Sequence, residues 1–125
     1  MIADTTFASD YLHEQRRGVI GLATTFFRRH RTRSIRLTII TAGEISVAFT
    51  STAAAREWLD RWQILFLHMG IVDQAAEIDR ELIARGRRLG ENNNWIAGFA
   101  RYYREPLISR DRGFDTVPEL RRVTY

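Results

Sequence analysis

Apolar and polar positions along the chain change period several times, and each change marks an element. Met1-Ile2-Ala3 is an apolar run stopping at Asp4, which predicts a short first strand. Phe7 to Leu12 reads as a brief helix. Val19 to Phe27 is apolar at helical spacing and runs into a basic turn, Arg28 to Arg33. Arg36-Leu37-Thr38-Ile39-Ile40 is β-branched and apolar, which predicts a buried strand ending at Thr41. Ala42 to Phe49 then reads as a helix carrying Glu44. Ser51-Thr52 offers an N-cap for a helix from Ala53 to Trp62. Gln63 to Leu67 is a further short strand. Val72 to Leu89 is amphipathic, with Ala75, Ile78, Leu82 and Ile83 on one face, and Gly90 is expected to stop it. Asn93 to Tyr103 is the next helix, broken by Pro106. Leu107-Ile108-Ser109 and Arg121 to Thr124 complete the strands.

Strands that alternate with helices argue for an α/β fold with a mostly parallel sheet of about four to five strands, covered by helices on both faces. At 125 residues the chain is expected to be a single domain, 1–125, with 45% hydrophobic residues to fill its core. It contains no cysteine, which excludes disulfides and thiolate metal sites and fits a reducing cytoplasm. No signal peptide is visible at the start, and no apolar run approaches the roughly 20 residues needed to span a bilayer. The reading is a cytoplasmic protein without a membrane segment.

The net charge is +4, and all 19 basic residues are arginine. Arginine's planar fork suits phosphate, so a polyanion or an acidic protein segment is a natural partner. GC-rich coding would also replace lysine with arginine. The run Arg28 to Arg33 reads equally as a phosphate-binding patch or a solvated helix end. Trp58 and Trp62, four apart on one helix face, suit a core or an interface better than base stacking. Tyr11, Tyr102 and Tyr103 suit an interface too. His13, His30 and His68 show no ligand spacing. No glycine-rich phosphate loop, Ser-His-Asp arrangement or HExxH pattern is present.

The candidate chemistry lies in the acids. Asp4 follows the first strand, Glu44 the second, and Asp111 the Leu107 strand. Open parallel sheets bind ligands at the carboxyl ends of their strands, so these acids are placed to converge. Converging carboxylates repel, and a divalent cation relieves that repulsion. Oxygen-only ligands select Mg2+ or Mn2+ over zinc. Asp4 or Asp111 taken alone reads as a turn former or helix cap, and three asparagines before Trp95 also read as a cap.

Four motifs in order carry a resemblance. Ile2-Ala3-Asp4-Thr5-Thr6 opens the chain. Thr41-Ala42-Gly43-Glu44 follows the second strand. Asn93-Asn94-Trp95-Ile96-Ala97-Gly98 begins a helix. Leu107-Ile108-Ser109-Arg110-Asp111-Arg112-Gly113-Phe114 comes last, followed by Val117-Pro118-Glu119-Leu120-Arg121-Arg122-Val123. Over nearly its whole length the chain resembles a VapC-type toxin of the PIN-domain ribonuclease family. The resemblance implies a PIN-like three-layer fold. It implies a catalytic Mg2+ site (Mn2+ as alternative) shared by Asp4, Glu44, Asp111 and position 93, with hydroxyls of Thr6 and Ser109 orienting carboxylates or water. It also implies hydrolysis of RNA phosphodiesters by a metal-activated water, a VapB-type antitoxin partner and a homodimer. Arg110 and Arg112 flank this site and are candidates for RNA phosphate.

One position departs from the family pattern. Where the family carries an aspartate, this chain has Asn93. The amide keeps the size and one acceptor oxygen but loses a full charge, so metal affinity and activity should fall. Loss of outer-shell partners alone costs roughly 10–100-fold, and loss of a ligand should cost at least that. The origin is either an engineered Asp→Asn change that silences a harmful nuclease or a natural degenerate site, and the first is preferred. Glu91 sits two residues off the helical position and is a poor substitute. Asn93 also favours an alternative, a non-catalytic PIN-like module that binds RNA or protein.

Overall fold

The computed structural model describes all 125 residues. Five strands form one sheet: β1 (Ile2–Ala3), β2 (Arg36–Thr38), β3 (Gln63–Leu65), β4 (Leu107–Ile108) and β5 (Arg122–Val123). Every pairing is parallel, and the spatial order is β3-β2-β1-β4-β5. Six helices connect them: α1 (Thr5–Arg17), α2 (Leu22–Arg29), α3 (Ile39–Ser46), α4 (Thr52–Leu59), α5 (Met69–Ala84) and α6 (Glu91–Tyr103). A 3-10 turn, Arg112–Thr116, follows β4. This is the expected three-layer α/β architecture, with five strands and a sheet that is parallel throughout.

Each strand feeds side chains to both layers. Side chains alternate across a strand. Ala3, Leu37 and Ile108 enter a core with α1 to α4, including Phe7, Phe26 and Trp58. Ile2, Leu65 and Leu107 enter the opposite core with α5 and α6, including Ile71, Ile78, Leu82, Ile96 and Phe99. Helices α5 and α6 approach closely at Gly98, where an added Cβ would lie 3.0 Å from the Cβ of Ala75.

Several boundaries differ from the sequence reading. The expected strand 36–40 stops at Thr38, whose hydroxyl accepts from the N–H of Thr41 at 3.0 Å and caps α3. Ile39 and Ile40 are therefore helical, and they pack partly buried against the α5/α6 core. A cap and an apolar face to cover outweigh β-branched propensity here. Helix α1 runs to Arg17, well past Leu12. Gly90 does not stop α5, which ends at Ala84 before Gly86 at φ 68°. Gly90 is instead the N-cap of α6, so Asn93 lies inside the first turn rather than at its cap. Ser51 caps α4 as expected, accepting from the N–H of Ala54 at 3.1 Å. Helix α4 ends at Leu59, so Trp62 lies beyond it. Both tryptophans still pack with the first layer, Trp58 buried and donating to Gln15 at 2.9 Å.

Candidate functional site

The chain lays down β1, β2 and β3 in one direction, then returns to place β4 and β5 on the other side of β1. The reversal between β1 and β4 is where open parallel sheets form crevices at their carboxyl ends. Asp4 leaves the end of β1, Ser109 and Asp111 follow β4, and Glu44 stands on the helix that follows β2. Asn93 comes from the first turn of α6, the helix leading into β4.

These groups are joined in a closed circuit. Asp4 accepts from the hydroxyl of Ser109 at 2.5 Å. Ser109 accepts in turn from the N–H of Asp111 at 2.9 Å. Asp111 accepts from the amide of Asn93 at 3.2 Å. The neighbouring Asn92 donates to Glu44 at 2.8 Å. Glu44 also accepts from the hydroxyl of Thr5, next to Asp4, which closes the circuit. Asp4 and Asp111 act as caps as well. Asp4 accepts from the N–H of Phe7 at 2.8 Å, and Asp111 from the N–H of Gly113 at 2.8 Å.

Asp4 is buried. Burial pushes its carboxyl above the ordinary aspartate range. The Ser109 and Phe7 hydrogen bonds pull the other way, and the nearby Asp111 and Asp10 charges push it further up. A buried carboxylate near others is the condition that invites a counter-charge.

The donor chemistry suits a hard divalent cation, because every candidate ligand is an oxygen. The arrangement does not match one. No three carboxylate or imidazole groups come close enough to hold a metal ion. All six oxygens of Asp4, Glu44 and Asp111 accept a hydrogen bond from the protein itself. Asn92 and Asn93 supply two of those donors, so amides occupy the part that a cation would play among three acids.

Asp4, Glu44, Asn93, Asp111 and Ser109 are thus brought together, and Thr6 is not. Thr6 is exposed, and Thr5 makes the hydroxyl contact instead. A capping aspartate sends the next two side chains in different directions, which linear spacing does not reveal. Asn92 was also missed, since three consecutive asparagines give no sign of which faces which acid. Arg110 does not point at the acids. It pairs with Asp10 at 2.6 Å and lies over the ring of Tyr125. Arg112 is exposed beside Asp115. The run Arg28 to Arg33 makes no ion pair with any carboxylate. His30 stacks on Phe26, His68 caps α5, and Tyr11 packs within the first layer.

No helix is long and apolar enough to cross a membrane. No protein-family model and no curated protein matches the sequence. Solved structures do match. The chain is similar to VapBC2 from Rickettsia felis bound to a DNA fragment from its promoter, with TM-score 0.83, 15% identity, and 99% of this chain and 97% of that one covered. It is similar to VapBC-1 from nontypeable Haemophilus influenzae, with TM-score 0.76, 22% identity and coverage of 98% and 96%. It is also similar to VapBC-5 from Mycobacterium tuberculosis, a member of the VapBC family of toxin–antitoxin systems, with TM-score 0.60, 25% identity and coverage of 71% and 82%. At these identities the likeness establishes the fold: the chain has the PIN-like fold found in these VapBC complexes.

Proposed function

We propose that the chain is the toxin-type subunit of a toxin–antitoxin pair, with an RNA phosphodiesterase site that Asn93 has weakened. The observation that carries this reading is the circuit of Asp4, Ser109, Asp111, Asn93, Asn92, Glu44 and Thr5 at the sheet's switch point. Acids from three separate segments are assembled there on rigid elements. The neighbours' complexes with a second component support an antitoxin-type partner, and a homodimer belongs to the same reading.

A divalent cation (Mg2+, or Mn2+ as alternative) would supply water activation and stabilisation of the leaving oxygen. In the chain as it stands, the amide donors of Asn92 and Asn93 meet Glu44 and Asp111 instead. With an aspartate at position 93, the Asn93–Asp111 hydrogen bond becomes a repulsion between two carboxylates, and a cation becomes the natural way to relieve it. Ser109 holds Asp4 in one orientation, and Thr5 does the same for Glu44. Both carboxylates are thereby fixed before any ligand arrives.

The test compares Asn93→Asp with the unaltered chain on single-stranded RNA, with Mg2+, with Mn2+ and with EDTA. The expected result is metal-dependent cleavage by Asn93→Asp, at least about tenfold faster than the parent. Absence of cleavage by Asn93→Asp under every metal condition overturns the nuclease reading. The second reading, a non-catalytic module that binds RNA or protein, is favoured by the complete hydrogen bonding of the three acids. It predicts that outcome together with RNA or partner binding that EDTA leaves intact. Within the Asn93→Asp background, Asp4→Ala should abolish cleavage, and undiminished activity would place the chemistry elsewhere.

A further inference from the structure

The first turn of α6 has two working sides. Asn92 and Asn93 face the acids. Asn94 turns away, donating its amide to the carbonyl of Ala75 on α5 at 2.9 Å. Beside it, Trp95 lines a second cavity of about 550 Å³ between α5, the Arg88–Leu89 loop and the start of α6. Glu91 lines both this cavity and the depression that holds Glu44, Asn92 and Asn93, so the two adjoin.

The cavity's chemistry is selective. Val72, Ala76 and Leu89 give it apolar walls, and Trp95 offers part of an indole. Its polar groups are Asp79, Arg88, Glu91 and Asn94. Two carboxylates against one guanidinium make the lining net negative, on a chain whose overall charge is +4. A phosphate is repelled by such a lining. A flat, uncharged heteroaromatic ring with N–H donors is not. Arg88 is held by Asp79 at 3.0 Å, which sets an acceptor and a donor side by side at the rim.

We infer that this cavity is a nucleobase pocket that receives a base of single-stranded RNA next to the linkage held at the acids. The inference rests on the phosphodiesterase reading above and adds base selection to it. Unstacked bases are recognised by stacking on aromatic rings and by hydrogen bonds to their edges. Guanine matches the rim best. Its N1–H and amino group complement a carboxylate, and its O6 and N7 accept from an arginine. Uracil, with a single N–H donor, matches worst. Trp95 supplies the stacking face, Glu91 and Asp79 the acceptors, and Arg88 the donor.

The test is equilibrium binding in EDTA, which removes cleavage from the readout. The probes are a short oligouridine carrying one central guanosine and the same strand with uridine throughout. The expected result is tighter binding of the guanosine strand, with saturable quenching of tryptophan fluorescence. Trp95→Phe should keep the affinity and lose most of the quenching, because Trp58 and Trp62 lie in the other layer. Trp95→Ala should weaken the guanosine strand on the order of tenfold. Glu91→Gln, an exposed change that leaves the packing untouched, should narrow the gap between the two strands even if Trp95→Ala fails to fold. Equal binding of both strands, unchanged by Trp95→Phe and Glu91→Gln, overturns the pocket while leaving RNA binding in place. No binding of either strand overturns the pocket and the RNA reading together.

Discussion

Helix α1 carries a carboxylate near each end, and the two are treated oppositely. At its start, Asp4 is buried among other acids, and its carboxyl is pushed up by burial. Near its end, Glu14 also feels burial, which raises it. Hydrogen bonds from the N–H groups of Thr24, Ala23 and Gly21 outweigh that and hold it below the ordinary glutamate range. Glu14 thereby serves as the cap that α2 lacks, since Gly21 has no side chain to donate one. A carboxylate placed against a helix N-terminus stabilises the fold. Asp4 caps a helix as well, but it does so beside other carboxylates, whose repulsion offsets part of that gain.

The comparison breaks most visibly at Glu14. Glu14→Ala strips three N–H groups of their partner and should cost roughly 2 kcal/mol, read as a lowered midpoint in urea. A loss below about 0.5 kcal/mol would show that water replaces the carboxylate freely. Gly21→Ala attacks the same contact from the other side. An added Cβ would lie 2.2 Å from a Glu14 carboxylate oxygen, so Glu14 must withdraw. The expected cost is smaller, about 1 kcal/mol, because the side chain is flexible.

Glu14→Gln sharpens the comparison through pH. A carboxyl depressed in the folded state gives stability that is present above its unfolded pKa and lost as pH falls through the folded one. The unaltered chain should therefore lose stability below about pH 4.5 more steeply than Glu14→Gln does. Parallel acid curves for the two would remove Glu14 from the account.

The smallest effect, and the one of opposite sign, belongs to Asp4→Asn. A carboxyl raised in the folded state favours folding while protonated, and that contribution is lost as pH rises from 3.8 through the raised value. Asparagine keeps the cap to Phe7 and removes the buried charge. Stability at neutral pH should change by less than about 0.5 kcal/mol or rise. A clear loss at neutral pH would mean that Asp4 is structural, like Glu14.

Much of this was legible in the residues. The alternation of apolar runs with helical periods carried the α/β class and the parallel sheet. The order of the acids after strands placed Asp4, Glu44 and Asp111 at one end of it. Ile39 and Ile40 misled, because β-branching reads as strand wherever a cap such as Thr38 is discounted. Gly90 misled, because glycine ends one helix and begins another with equal ease. The exchange of Thr6 for Thr5 was invisible, since a helix cap rotates its neighbours by an amount that linear spacing does not encode.

The sequence by itself determined which groups are present: three acids, an amide where a fourth would stand, and apolar faces to build two layers around one sheet. Only the tertiary structure decided what those groups do to one another. It turned Asn92 and Asn93 toward the acids and Trp95 toward α5, and it spent Arg110 on Asp10. It also gave Glu14 to α2. Side-chain identity sets charge and hydrogen-bonding capacity, but partners are set by helix phase and strand order, which exist only once distant segments have packed.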